Sequence, residues 1–143
     1  MSAPEIEGQP LSGVSVGDCA SITKTVSESD VYLFAGITGD FSPNHIDEVY
    51  MAKGRYGKRV AHGALLVGFM SAAISRLYIG RTVSLGYDRI RFIAPVFFGD
   101  TITTVYRVSE IDHEKKRVYA EMDCTNQNGE VVAVAKHVRA YVG

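Results

Sequence analysis

The chain has 143 residues, 46% of them hydrophobic, which suits one core of ordinary size and is too short for two. Lys+Arg 15 against Asp+Glu 16, with a formal charge of -1, leave no basic stripe to neutralise a phosphate backbone, so nucleic acid is not an expected partner. Two cysteines, Cys19 and Cys124, form neither a disulfide framework nor a zinc-ligand grouping, and a reducing compartment fits them best.

The first residues, MSAPEIEGQP, lack the basic and apolar regions of a signal peptide and read as a tail over 1–12, ahead of one domain that fills the rest of 1–143. A cytoplasmic protein is expected. Residues 20–26, ASITKTV, alternate weakly as a strand does. Ser27 followed three residues later by Asp30 then has the form of a capping box, so a helix should begin there. Val31, Phe34, Ala35 and Thr38 continue it at helical spacing, and Gly39 is placed to close it in the left-handed conformation.

Straight after that helix end comes GITGDFSPNHID, residues 36–47, in which Asp40 and His45 flank Pro43. Residues 48–59 mix charge, glycine and aromatics and read as an irregular excursion with one short helical turn. The strongest element follows over 62–77, where Leu65, Leu66, Phe69, Met70, Ala73, Ile74 and Leu77 recur at i, i+3, i+4 while Gly63, Ala64, Gly68, Ser71 and Ala72 keep the other face small. Such a helix, roughly 24 Å long, can be buried on nearly all sides. It carries His62, serines and Arg76, and reads as a core helix, not a membrane span.

Strands follow to the end: SLGYDRIRFI, TITTVYRVSEI after the break APVFFGD, RVYAEMDCTN after the polar turn DHEKK, and VVAVAKHVRAYV after the Asn-Gly signal in NQNGE. The expected fold class is α+β, an antiparallel sheet of about five strands around one long helix, with the last four strands in a meander.

Three blocks in order, GDFSPNH, an HG pair 17 residues after His45, and FIAPVFFGDTI, resemble the MaoC-type dehydratases, the hot-dog-fold (R)-specific enoyl-CoA hydratases. The resemblance covers the chain from about Ser27 to the C-terminus. It implies that Asp40 and His45 are catalytic, and it implies a homodimer at least, with the acyl-pantetheine chain in a tunnel at the subunit interface. Ser42 departs from the pattern, which usually has asparagine there; serine keeps one loop hydrogen bond and loses the second handle of the amide.

Adding water across the double bond of an enoyl thioester requires a base for the water, an acid for the neighbouring carbon, and donors for charge on the thioester oxygen. Asp40 and His45 lie on one loop, with Gly39 allowing the tight turn and Pro43 stiffening the path, so both side chains are placed to grip a single water. Gly63 supplies the third part: N–H groups of a first helical turn lack intrahelical partners, and a residue without Cβ lets the carbonyl approach. Ser71, on the same helix, is a further candidate for the site. His62 reads as a packed or capping histidine, Gly99-Asp100 as a turn, and His113 as a solvated turn residue.

Lys58, Arg59, Arg89 and Arg91 are candidates to meet coenzyme A phosphates. Tyr32, Phe41, Tyr56 and Phe69 are candidates to limit acyl length. No phosphate loop, metal cluster or nucleophile elbow is legible, so neither metal nor redox cofactor is expected, only an acyl-CoA thioester as small-molecule partner. Two other activities stay open beside hydration: a hot-dog acyl-CoA thioesterase and a non-catalytic acyl-CoA-binding module.

Overall fold

The helix expected after Ser27 is α1, Glu28–Thr38, in the computed structural model, which describes residues 11 and 13–143. Its capping box is complete: the Asp30 N–H donates to Ser27 Oγ at 3.1 Å, and the Ser27 N–H donates to Asp30 Oδ2 at 3.0 Å. Gly39 closes it at φ 85°, the left-handed conformation that a residue with a Cβ adopts only under strain. The chain then makes two short helices: α2 (Pro43–Ile46), within the stretch that holds Asp40 and His45, and α3 (Glu48–Ala52), the one helical turn expected over 48–59. The buried helix is α4, Gly63–Ser75, with His62 and Arg76 as its caps.

Five strands, β1 (Cys19–Thr25), β2 (Thr82–Phe92), β3 (Thr101–Asp112), β4 (Arg117–Thr125) and β5 (Val131–Tyr141), make one antiparallel sheet in the order β1-β3-β4-β5-β2. The expected four-strand meander is therefore corrected: β3, β4 and β5 form one, and β2 joins it on the far side of β5. The reason lies in the connections. Polar turns close the β3–β4 and β4–β5 hairpins, the second with Asn126 Oδ1 accepting the N–H groups of Asn128 and Glu130 at 3.0 Å each. Residues 93–100 turn only just before β3, at the expected Gly99-Asp100, where the Asp100 N–H donates to Phe97 O at 3.0 Å; earlier in the segment Pro95 lacks an N–H and the Ile93 N–H is spent on Val132 O at 2.8 Å, so β2 and β3 are not paired as a hairpin. Register shifts in the β2–β5 and β3–β4 pairs bend the sheet around the helix.

Leu66, Phe69, Met70 and Ala73 of α4 enter one core with Ile102, Tyr106 and Val108 of β3, Val118 and Met122 of β4 and Val132 of β5. Burial of each large side chain contributes about 1.5–3 kcal/mol. Leu11 joins this core, and the rest of the expected tail over 1–12 lies outside the described residues. Among the described residues no helix is long and apolar enough to cross a membrane.

The far end of α4 is held by a buried arginine. Arg139 of β5 donates to Leu77 O at 2.7 Å and to Ile74 O at 3.4 Å, matching a cation to helix-end carbonyls, and lies over the Tyr106 ring. Beside it His137, on the inward face, bonds Ser84 Oγ at 2.7 Å, and burial together with the Arg139 charge pushes its pKa down to about 4. The unfolded chain titrates this histidine near the ordinary value of 6.5, so between the two pH values it binds more protons than the native state. Stability should fall as pH drops from about 6.5. Urea midpoints at about pH 7 and about pH 5, above the carboxylate range, should show that decline in the wild type and a shallower one in His137→Gln.

Candidate active site

Asp40 follows the cap glycine on a loop of paired groups. Its N–H donates to Thr38 Oγ1 at 3.2 Å, and one carboxylate oxygen, Oδ1, accepts both the Ser42 hydroxyl at 2.5 Å and the Ser42 N–H at 3.1 Å. These two bonds hold the carboxyl below the usual carboxylate range, with a smaller contribution from the nearby histidines. They also leave Oδ2 free. Ser42 thus retains a defined task in the loop: it orients Asp40. Titration of the Asp40 carboxyl by NMR should give a midpoint below about 3.9 in the wild type and a higher one in Ser42→Ala, so that the native carboxyl is ionised throughout the neutral range.

His45 sits on α2, whose first position is Pro43, a residue with no N–H to lose there. Its ring is buried, and Nδ1 lies 2.7 Å from Val60 O. A carbonyl can only accept, so Nδ1 carries the hydrogen, and in the neutral ring Nε2 presents a lone pair. That Nε2 is 3.9 Å from Asp40 Oδ2. The gap is too long for a direct hydrogen bond and suits one bridging water. Val60 is itself fixed on two sides, its N–H donating to Asn44 O at 3.0 Å while the next residue's N–H reaches Val96 O at 2.8 Å.

His62 was expected only to pack or cap, and the structure places it under the pair. Its ring stacks on His45 with centroids 3.7 Å apart, and its Nε2 lies 2.9 Å from Asp40 O. By the same reasoning Nε2 carries the hydrogen, so the ring pins the Asp40 backbone from below. It makes no side-chain cap to α4, and its Nδ1 is buried without a partner. Its position immediately before Gly63 was the one sequence signal of this role. Asp40, His45 and His62 offer ligand atoms within 4.8 Å of one another. The donor set is poor for a cation all the same: His62 Nε2 is spent as a donor, and stacked rings direct their lone pairs side by side instead of at one point.

Gly63 begins α4 beside this group, and its N–H, at the first helical position, has no intrahelical partner. His45 and Gly63 line one cavity of about 250 Å³ with Tyr56, Leu66, Phe92 and Val96. A Cβ at Gly63 would come within 2.8 Å of the Phe92 ring, so the glycine is required for the close approach.

Residues 18–132 match the MaoC-like domain family. The chain belongs to that family. As a MaoC-like protein it is 38% identical over 125 residues to the (R)-specific enoyl-CoA hydratase of Rhodospirillum rubrum, covering 87% of each chain. It is 33% identical over 131 residues, 92% of this chain and 82% of the relative, to a 3-hydroxybutyryl-CoA dehydratase of Methylorubrum extorquens. Among solved structures it superposes on an unliganded (R)-hydratase from Pseudomonas aeruginosa with a TM-score of 0.84 at 34% identity, covering 93% of this chain and 85% of that one. The sheet and central helix are those of the hot-dog fold, and the family makes the chain a hydratase or dehydratase.

Of the other residues singled out in the sequence, Ser71 is exposed on α4 and is not among the residues lining either cavity beside His45. The structure of this single chain does not bring it to Asp40 and His45. Arg59 is engaged elsewhere, donating to Glu28 at 3.0 Å and lying 3.7 Å from Glu48, while Arg89 and Arg91 stand exposed on β2. Lys58 lies over the Phe97 ring at 4.2 Å. Tyr56 does line the cavity, whereas Phe69 belongs to the core, Tyr32 bonds Arg59, and Phe41 is exposed.

Proposed function

We propose that this MaoC-like protein interconverts trans-2-enoyl-CoA and (R)-3-hydroxyacyl-CoA, with one water held between Asp40 Oδ2 and His45 Nε2. The observation that carries the reading is their separation of 3.9 Å, in which Ser42 occupies the other carboxylate oxygen and Val60 the other ring nitrogen. Every competing bond is already made, so the two free atoms meet on one site. In hydration the water oxygen bonds to C3 while one of its protons passes to the pair, and the pair delivers a proton to C2. The pair therefore ends the cycle as it began. Negative charge gathered on the thioester oxygen during the step is met by the Gly63 N–H at the positive end of α4.

We read the substrate as a coenzyme A thioester and the (R) product from the relatives' activities, and we infer no metal or redox cofactor, because acid–base chemistry and one amide donor supply what the reaction needs. A homodimer is the further expectation. β2 pairs with β5 alone in this sheet and leaves Val83, Leu85, Phe92 and Ile93 about half exposed, an edge and an apolar surface for a second copy to cover. The reading is tested by incubating the protein with crotonyl-CoA and resolving the product on a chiral column, with a thiol reagent in a parallel sample. (R)-3-hydroxybutyryl-CoA without free thiol supports it; release of coenzyme A thiol would replace it with the thioesterase.

A further inference from the structure

Asp40 and His45 stand on separate supports. Asp40 follows the end of α1, whereas the His45 ring is aimed by Val60 O, on the segment that leads into α4. The 3.9 Å between Oδ2 and Nε2 is therefore a distance between two pieces of backbone. His62 ties them together at Asp40 O, and Arg59, next to Val60, ties them a second time through α1. Its Nη1 donates to Glu28 Oε1 at 3.0 Å and to the Tyr32 hydroxyl oxygen at 3.3 Å, and its Nη2 lies 3.7 Å from Glu48 Oε1 on α3. The Tyr32 hydroxyl passes its own hydrogen to the carbonyl of Ile46, the residue after His45, at 3.4 Å. Arg59 is not an ordinary surface arginine. Its side chain is only 12% exposed, and its guanidinium lies 4.7 Å from the centre of the Phe98 ring, so the fork is held in one place.

We propose that Arg59 is a positioning residue for the hydration step: with Tyr32 it braces α1 against the backbone beside His45 and beside Val60, and so sets the gap between Asp40 and His45. The inference rests on the hydratase reading and adds to it a residue that touches neither the water nor the thioester. Each contact of the brace acts on one support. Glu28 and Tyr32 fix the helix that delivers Asp40, Ile46 O fixes the end of α2 that carries His45, and Arg59 itself fixes the neighbour of the carbonyl that orients the ring. Displacement of reacting groups by 1 Å costs about 10²-fold in rate, and Val60 keeps its two backbone bonds without Arg59, so the expected loss is smaller, about tenfold.

The test uses Arg59→Met, which keeps the apolar stem and loses the fork, and Tyr32→Phe, which loses only the hydroxyl. Each is assayed with crotonyl-CoA. The His45 ring N–H is followed by NMR of protein carrying isotope-labelled histidine, its signal assigned by its disappearance in His45→Gln. In Arg59→Met kcat should fall about tenfold with KM nearly unchanged, and the Nδ1–H signal, held downfield by the bond to Val60 O, should move upfield and exchange faster. Tyr32→Phe should lose less in the same direction, and the double variant should be about as slow as Arg59→Met, because both act through one network. A role in stability alone would lower the urea midpoint and leave kcat and the ring signal at their wild-type values, which overturns the proposal. A raised KM at unchanged kcat also overturns it, since that places Arg59 on the substrate. Failure of the hydratase reading looks different: the wild type hydrates no enoyl thioester, and the brace then stands if the ring signal moves in Arg59→Met and falls if it does not.

Discussion

His45→Gln should lower kcat for enoyl-thioester hydration by about 10²- to 10⁴-fold and leave KM nearly unchanged. Glutamine is close in reach and can keep a donor toward Val60 O, so the ring's hydrogen bond at 2.7 Å has a substitute while its Nε2 lone pair has none. Asp40→Asn should show a loss of the same order. The amide is isosteric with the carboxyl and its oxygen can keep both Ser42 bonds, yet the nitrogen that replaces the free Oδ2 cannot accept a hydrogen bond from the water. Neither change touches the core, so circular dichroism and the urea midpoint should stay near the wild-type values. A loss of activity that tracked a loss of fold would make the pair structural.

Gly63→Ala should lower kcat/KM by about 10²-fold through misplacement of the reacting carbonyl while the protein stays folded. Alanine favours the helix that begins at this position, so the local backbone does not object. The added methyl meets the Phe92 ring at 2.8–2.9 Å, and that ring, about half exposed, swings away more easily than the helix moves. The displaced ring and the new methyl both narrow the cavity at the N–H assigned to the thioester oxygen. Phe92→Leu in the same chain should recover part of the loss, since it removes the atoms the methyl would strike; no recovery would place the defect at the carbonyl approach alone.

Much of this was legible in the residues. The capping box at Ser27 and Asp30, the glycine closing α1, the buried helix and the strand alternation are local signals, each set by residues within a few positions of one another, and each appears where it was expected. Pairing across the sheet is not local. The placement of β2 beside β5 depends on the path of residues 93–100, whose turn at Gly99-Asp100 comes too late to fold β2 and β3 into a hairpin, and such a turn names no partner strand. In the candidate site, Asp40, His45 and Gly63 were visible as residue types at suggestive spacing, and the fold sets His45 at Asp40 and at the cavity it shares with Gly63. Three things were not visible. The function of Ser42 depends on a hydroxyl reaching back two residues to Asp40 Oδ1. His62 reads as a helix-start residue until α4 is docked and its ring proves to lie under His45. Arg59 seemed free for phosphate until Glu28, 31 residues away in sequence, was brought to it.

The central claim is that Asp40 and His45 act on one water as a unit. Groups that act as a unit do not contribute independently, so removing the second after the first costs little more. The most direct measurement is therefore the rate of crotonyl-CoA hydration by the double variant Asp40→Asn/His45→Gln beside each single one. The account predicts a double variant about as slow as the worse single variant. Losses that multiply would show two groups working separately, and a double variant that retained wild-type hydration would remove Asp40 and His45 from the chemistry altogether.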